Sequence, residues 1–196
     1  MRRLIIAAIA ASLVAVPVWA RPRIEVTRFH TPESIAAIDR AAVAVVAAPG
    51  ADSASLENRV WLAAVERALA ANGFGAGWPD NAPTIAEVRV ERRSWQPEKR
   101  GGGVSVGVGG STGSYGSGVG LGIGIDLSGP PPEMIETTLS VTLRDKASGR
   151  PLWEGRAEQA VKAKAKEAAP EIAAERLAAA VFQAFPGRSG ETISVK

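Results

Sequence analysis

The sequence predicts a two-layer α+β domain: a mostly antiparallel sheet with two helices on one face, and a glycine-rich β-hairpin within it. Three observations lead there. Residues 135–143 and 153–161 alternate apolar and polar side chains about a Ser148-Gly149 turn, the pattern of an antiparallel hairpin with one wet face. Two segments ending near Asn72 and Phe185 carry apolar side chains at helical spacing. Residues 101–129 hold 13 of the 21 glycines, with aliphatic residues recurring at every second position.

The chain opens with a leader. Met1-Arg2-Arg3 is a short positive start, and residues 4–16 are apolar or small apart from Ser12. Pro17 ends that run, and Val18 and Ala20 put small residues at the −3 and −1 positions. Residues 1–20 therefore read as a secretory signal peptide cleaved after Ala20. The apolar run falls short of the ~20 residues needed to span a bilayer. The leader implies export. Residues 21–187 read as a single α+β domain, with 101–129 a hairpin inside it. Residues 188–196 read as a tail in which Thr192 to Val195 can pair on a sheet edge.

Residues 24–29 form a first short strand. Residues 42–48 are apolar on both faces, as expected of a central strand covered on both sides or flanked closely by helices. Pro49-Gly50 stops it. Asp52, Ser53 or Ser55 can cap a helix whose buried set is Leu56, Val60, Trp61, Val65, Ala68 and Leu69. Asn72-Gly73 ends that helix. Residues 84–93 form a strand with Ala86, Val88 and Val90 on one face and Glu87, Arg89 and Glu91 on the other. Strand, helix and strand in that order suggest a crossover between parallel strands. The second helix, 168–185, takes Pro170 in its first turn and buries Leu177, Ala178, Val181 and Phe185. Trp153 and Phe185 are expected to meet in the core, and Trp61 and Trp78 to pack.

In the glycine-rich segment Val104, Val106 and Val108 form one run, and Val119, Leu121, Ile123, Ile125 and Leu127 the other. The segment reads as a hairpin turning through 109–118, with its second strand paired into the main sheet. No G-x-G-x-x-G aligns and no glycine precedes a lysine, so the glycines cradle no phosphate.

Several function classes are excluded. There is no cysteine, hence no disulfide, thiol nucleophile or Cys-bound metal, and His30 is the only histidine. No catalytic constellation, metal site or cofactor is expected, so the chain does not read as an enzyme. Without Arg2 and Arg3 it carries 21 basic against 20 acidic side chains, a balance that gives no footprint for nucleic acid. The most suggestive binding residues are Arg92, Arg93, Trp95, Lys99 and Arg100, where basic side chains surround an aromatic and could contact an anionic polymer or lipid head group.

Five stretches carry a family resemblance. They are Val26-Thr27-Arg28-Phe29-His30, Ala68-Leu69-Ala70-Ala71-Asn72-Gly73-Phe74, Gly113-Ser114-Tyr115-Gly116-Ser117-Gly118, Leu152-Trp153-Glu154-Gly155-Arg156-Ala157 and Val181-Phe182-Gln183-Ala184-Phe185-Pro186. In this order the chain resembles the domain of unknown function 4136 family, small exported bacterial envelope proteins that are often lipoproteins. The resemblance implies an α+β envelope domain, located in the periplasm or the outer envelope, and no catalytic residues. This chain lacks the cysteine that would bear a lipid, which argues against anchoring. The expected function is that of a non-enzymatic binding or structural module for an unknown envelope macromolecule. The alternative is a membrane-associating or oligomerising protein that uses the glycine-rich hairpin.

Overall fold

The computed structural model describes residues 22–52, 55–98, 105–111, 118–124 and 130–196. The expected leader, Lys99, Arg100 and the tip of the glycine-rich hairpin lie outside the described residues. The elements run β1 (Ile24–Phe29), α1 (Pro32–Ala36), β2 (Val43–Ala47), α2 (Leu56–Ala71), β3 (Thr84–Trp95), β4 (Ser105–Ser111), β5 (Gly118–Gly124), β6 (Met134–Asp145), β7 (Pro151–Lys162), α3 (Pro170–Phe182) and β8 (Thr192–Val195). Six strands form one sheet in the order β2-β3-β6-β7-β1-β8, and only the β2–β3 pair is parallel. The α+β reading holds. Among the described residues no helix is long and apolar enough to cross a membrane.

Strand alternation decides which face is covered. Cross-strand pairing aligns Ala86 with Leu143 and Trp153, and Val90 with Leu139, Ala157 and Val26. These residues share one face of the sheet. On that face α2 contributes Trp61, Val65 and Leu69, and α3 contributes Leu177, Val181 and Phe182, to one continuous core. Among the described residues the opposite face carries no helix layer. Its residues are Glu87, Arg89, Glu91 and Arg93 on β3, with Thr142, Ser140, Thr138 and Glu136 opposite them on β6.

Local signals set the ends of the elements. Thr31 and Ser34 form a reciprocal capping box that starts α1, a short helix not read from the sequence. At the end of α2, Phe74 N–H donates to Leu69 O at 3.1 Å and Gly73 N–H to Ala70 O at 3.1 Å. This is a Schellman closure that turns Phe74 into the core. In the β6–β7 turn the Ser148 hydroxyl and backbone N–H donate to the Asp145 carboxylate. Those bonds hold the acid below its ordinary range.

Five expectations are corrected. Leu56, placed in the buried set of α2, stands at the helix's first position and is 76% exposed. β2 is an edge strand, not a central one. Its apolar character comes from α2 on one side, and from residues 75–77, which pair with Val43 along part of its outer edge. Trp78 does not pack; it is 76% exposed. α3 ends at Phe182, not Phe185, so Phe182 is the fully buried ring and Phe185 a half-buried one beyond the helix. The second glycine-rich strand does not join the main sheet among the described residues: β5 pairs with β4 in a two-stranded sheet, and residues 125–127 of the expected strand lie outside the described residues. The tail does pair on the edge, through β8 against β1.

Because β4 and β5 pair as a two-stranded sheet of their own, the six-stranded sheet keeps its described strand partners without them. Replacing residues 101–129 with a short Gly/Ser linker is expected to leave a cooperative unfolding transition. Its midpoint should move by less than about 4 °C, because loop-closure entropy varies slowly with length. Thermal melts followed by far-ultraviolet circular dichroism test this; loss of the transition would place the hairpin in the main sheet.

Candidate functional site

Alternation along β3 separates the residues that sequence reading grouped. Arg93 lies on the open face, where it donates to Glu136 across the β3–β6 pair at 2.7 Å. That hydrogen bond and the attached charge hold the guanidinium above its ordinary value. Arg92 points to the helix face, donating to Ala168 O at 2.6 Å, with Glu57 4.0 Å away. Trp95, opposite Met134, lies on the same face as Arg93 and is 42% exposed. Arg93 and Trp95 therefore share a surface that Arg92 does not. Lys99 and Arg100 lie outside the described residues.

The open face is the larger candidate. Its middle strand, β6, presents the short side chains Thr138, Ser140 and Thr142. The flanking strands present longer charged ones: Glu87, Arg89 and Glu91 on β3, and Glu154, Arg156 and Glu158 on β7. Long side chains beside short ones make a trough along β6. One hollow of about 430 Å³ is lined by Glu91, Arg92, Arg93, Glu136, Thr138 and Arg156, although the Arg92 guanidinium bonds Ala168 O on the helix face. A neighbouring hollow of about 490 Å³ is lined by Arg23, Glu25, Glu136 and Glu158. Signs alternate across the surface, and the ion pairs Arg93–Glu136, Arg144–Glu87 and Arg156–Glu158 tie them together. The surface is polar and nearly charge-balanced, which suits a partner with its own hydrogen-bonding groups better than a uniformly anionic polymer. Sequence reading placed the face of β3 correctly but did not assemble the trough, because the β3–β6 register is a long-range fact.

Four of the five stretches that carry the family resemblance converge elsewhere, on the end of α3, and the glycine-rich one lies almost wholly outside the described residues. Arg28 is 3% exposed. Its Nε donates to Val181 O at 2.9 Å, and its Nη2 to Ala180 O and Gln183 O at 3.0 Å each. These are the carbonyls that a helix leaves unpaired at its C-terminus, where the dipole is negative. Burial pulls the guanidinium below its ordinary value. Next to it Trp153 stacks on Phe182 with centroids 5.2 Å apart and meets Phe185 at 5.2 Å, as expected for Trp153 and Phe185. Phe185 in turn stands edge-on to Phe74 at 5.2 Å, and Arg40 lies 5.0 Å from both of these rings. The Trp153 indole N–H donates to Pro186 O at 3.0 Å. His30, at the end of β1, approaches Gly187 O through Nε2 at 3.1 Å and is a bracing residue.

Two glycines are fixed by this packing. A Cβ on Gly155 would come within 2.2 Å of the Trp153 ring and 2.7 Å of Val181. Gly187 has φ +77°, and a Cβ there would meet Arg28 Cδ at 2.7 Å. Gly155→Ala is expected to cost about 1–3 kcal/mol by displacing the indole. Trp153→Ala should cost about 3–5 kcal/mol through the cavity it leaves. Urea melts measure both, and a Gly155→Ala loss below about 0.5 kcal/mol would mean the ring does not lie over Gly155.

Comparison with known proteins places the chain. It is similar to an uncharacterised protein of Zymomonas mobilis, 45% identical over 62 residues, a match that covers 32% of this chain and 23% of that relative's length. Among solved structures it is similar to the PelC dodecamer from Paraburkholderia phytofirmans, at 14% identity and a TM-score of 0.45, over 85% of this chain and 99% of that one. It is also similar to a PDZ domain protein from Parabacteroides distasonis, at 11% identity and a TM-score of 0.46, over 88% of this chain and 39% of that one. The family model described as a domain of unknown function, DUF4136, matches residues 29–187, so the chain belongs to the DUF4136 family.

Proposed function

We propose that this chain is an exported, non-catalytic envelope module that docks another macromolecule on the open face of its sheet. The observation that carries the reading is the one-sided helix layer. Both long helices cover one face, while the other presents a charge-balanced trough with hollows of about 430 and 490 Å³. A wide polar sheet face, ringed by long side chains that can reorganise, suits a hydrogen-bonding partner surface. The leader through Ala20 supports export, and the lack of cysteine is compatible with folding after it.

A second reading is favoured by one observation: the β4–β5 hairpin forms its own two-stranded sheet. Its sequence alternates glycine with aliphatic residues. In this reading the hairpin, rather than the sheet face, makes the contact with a membrane or with further copies.

One set of experiments separates the readings. The intact mass of the secreted protein should correspond to a chain starting at Arg21; retention of residues 1–20 would contradict export by cleavage. Immobilised mature protein should retain a partner from envelope extracts. An Arg93→Glu and Arg156→Glu double variant should lower that retention at least tenfold while melting like the parent. Unchanged retention by the double variant would remove the open face from the account. Liposome binding that is abolished by replacing residues 101–129 would establish the second reading instead.

A further inference from the structure

The outer edge of β2 is a second unassigned surface, apart from the open face. Pairing parity fixes which backbone groups it offers. Ala48 N–H donates to Val88 O of β3, whereas Val43 N–H donates to Gly75 O and Val43 O accepts from Gly77 N–H. Even-numbered residues thus bond inward to β3, and odd-numbered ones point outward. Residues 75–77 take up the first outward position, at Val43. Among the described residues nothing bonds the outward N–H and C=O groups of Val45 and Ala47. No charge stands on Val43–Ala47, and neither proline nor lysine blunts this edge as such edges are usually blunted.

A small cavity lies on the same side as those groups. It has about 80 Å³ and is lined by Val45, Leu69, Ala70, Phe74 and Ala76, with Glu66 among its lining residues. Val45 pairs with Ala86 and so belongs to the helix-covered face. A strand added beside β2 would direct the side chain opposite Val45 to that face, toward the cavity. A water takes up roughly 30 Å³, so the cavity has room for one short aliphatic side chain. Glu66 is exposed and carries a carboxylate with no ion-pair partner among the described residues. Trp78 follows directly on Gly77, the residue bonded to Val43, and is 76% exposed.

We propose that the β2 edge binds an extended segment of another protein by strand addition, with an aliphatic side chain in the Val45–Leu69–Phe74 cavity and a basic residue two positions away facing Glu66. The spare backbone groups supply affinity and the cavity with its carboxylate supplies selection, as in other strand-addition sites. The pairing already made by residues 75–77 shows that the edge accepts a parallel segment, and the added strand would continue along it.

The test uses the mature protein and a fluorescein-labelled heptapeptide, Ser-Lys-Ser-Val-Ser-Lys-Ser, whose Lys, Val and Lys side chains share one face of a strand. Fluorescence anisotropy should show saturable binding. The same peptide with its valine replaced by aspartate should bind at least tenfold more weakly. Val45→Pro removes one outward N–H and leaves the β3 bonds in place, and it should weaken binding at least tenfold. Ala70→Trp, an exposed helix position at the cavity, should do the same and guards against a Val45→Pro chain that fails to fold. Glu66→Lys should weaken binding several-fold at low salt. Absence of saturable binding at millimolar peptide, or affinities unchanged in Ala70→Trp, would overturn the proposal. So would a protein that self-associates through this edge, with dimers lost in Val45→Pro, because the occupant would then be a second copy.

Discussion

A single buried guanidinium organises one end of this fold. Arg28 arrives from β1 and bonds three carbonyls at the end of α3. No carboxylate among the described residues pairs with it, so its charge is met by backbone dipoles alone. Such an arrangement tolerates little variation nearby. The residue opposite Arg28 on β7 is Gly155, over which the Trp153 ring lies. The chain leaving α3 passes Gly187 against the arginine stem, and Gly190 N–H donates to Arg28 O at 2.8 Å before the chain enters β8. The helix layer, the aromatic cluster and the last strand are therefore positioned by the same residue.

That arrangement explains the sidedness of the molecule. Once α3 is tied to β1 and α2 is tied to α3 through the core, both helices lie over one face. The other face is left to side chains that must tolerate water. The chain answers with short hydroxyl residues on β6 and alternating charges on β3 and β7. Exposed ion pairs of this kind contribute little stability, so their arrangement is better understood as surface chemistry than as scaffolding. β2 carries a different burden, as an apolar edge half covered by residues 75–77.

Much of this was legible in the sequence wherever a short period decides it. Glu87, Arg89 and Glu91 against Ala86 and Val88 announced the wet and dry faces of β3, and Asn72-Gly73 announced the end of α2. The reading failed where the deciding contact is distant. An all-apolar run such as residues 42–48 has the same appearance at a sheet centre and at an edge beside a helix. Trp78 looked like core by composition, yet it sits on a turn. Phe185 fits the helical stripe, but Arg28 takes the carbonyls of Ala180 and Val181 and the helix ends at Phe182. Arg28 itself entered only as part of a resembling stretch, because nothing local marks an arginine as a cap for a helix more than 150 positions away. The grouping of Arg92 with Arg93 overlooked alternation, which sends neighbours on a strand to opposite faces.

The central claim is that the Arg28 guanidinium, rather than its bulk or its charge alone, holds the end of α3. The most direct measurement is the unfolding free energy of Arg28→Met and Arg28→Lys by urea denaturation, with hydrogen exchange at residues 180–187. Methionine fills the space but leaves buried carbonyls unpaired, and lysine keeps a charge without the planar fork. Both variants are expected to lose about 1–3 kcal/mol, the cost of leaving buried carbonyls without their donor, and to exchange faster across 180–187. An Arg28→Met protein within about 0.5 kcal/mol of the parent, with unchanged exchange at those residues, would contradict the account.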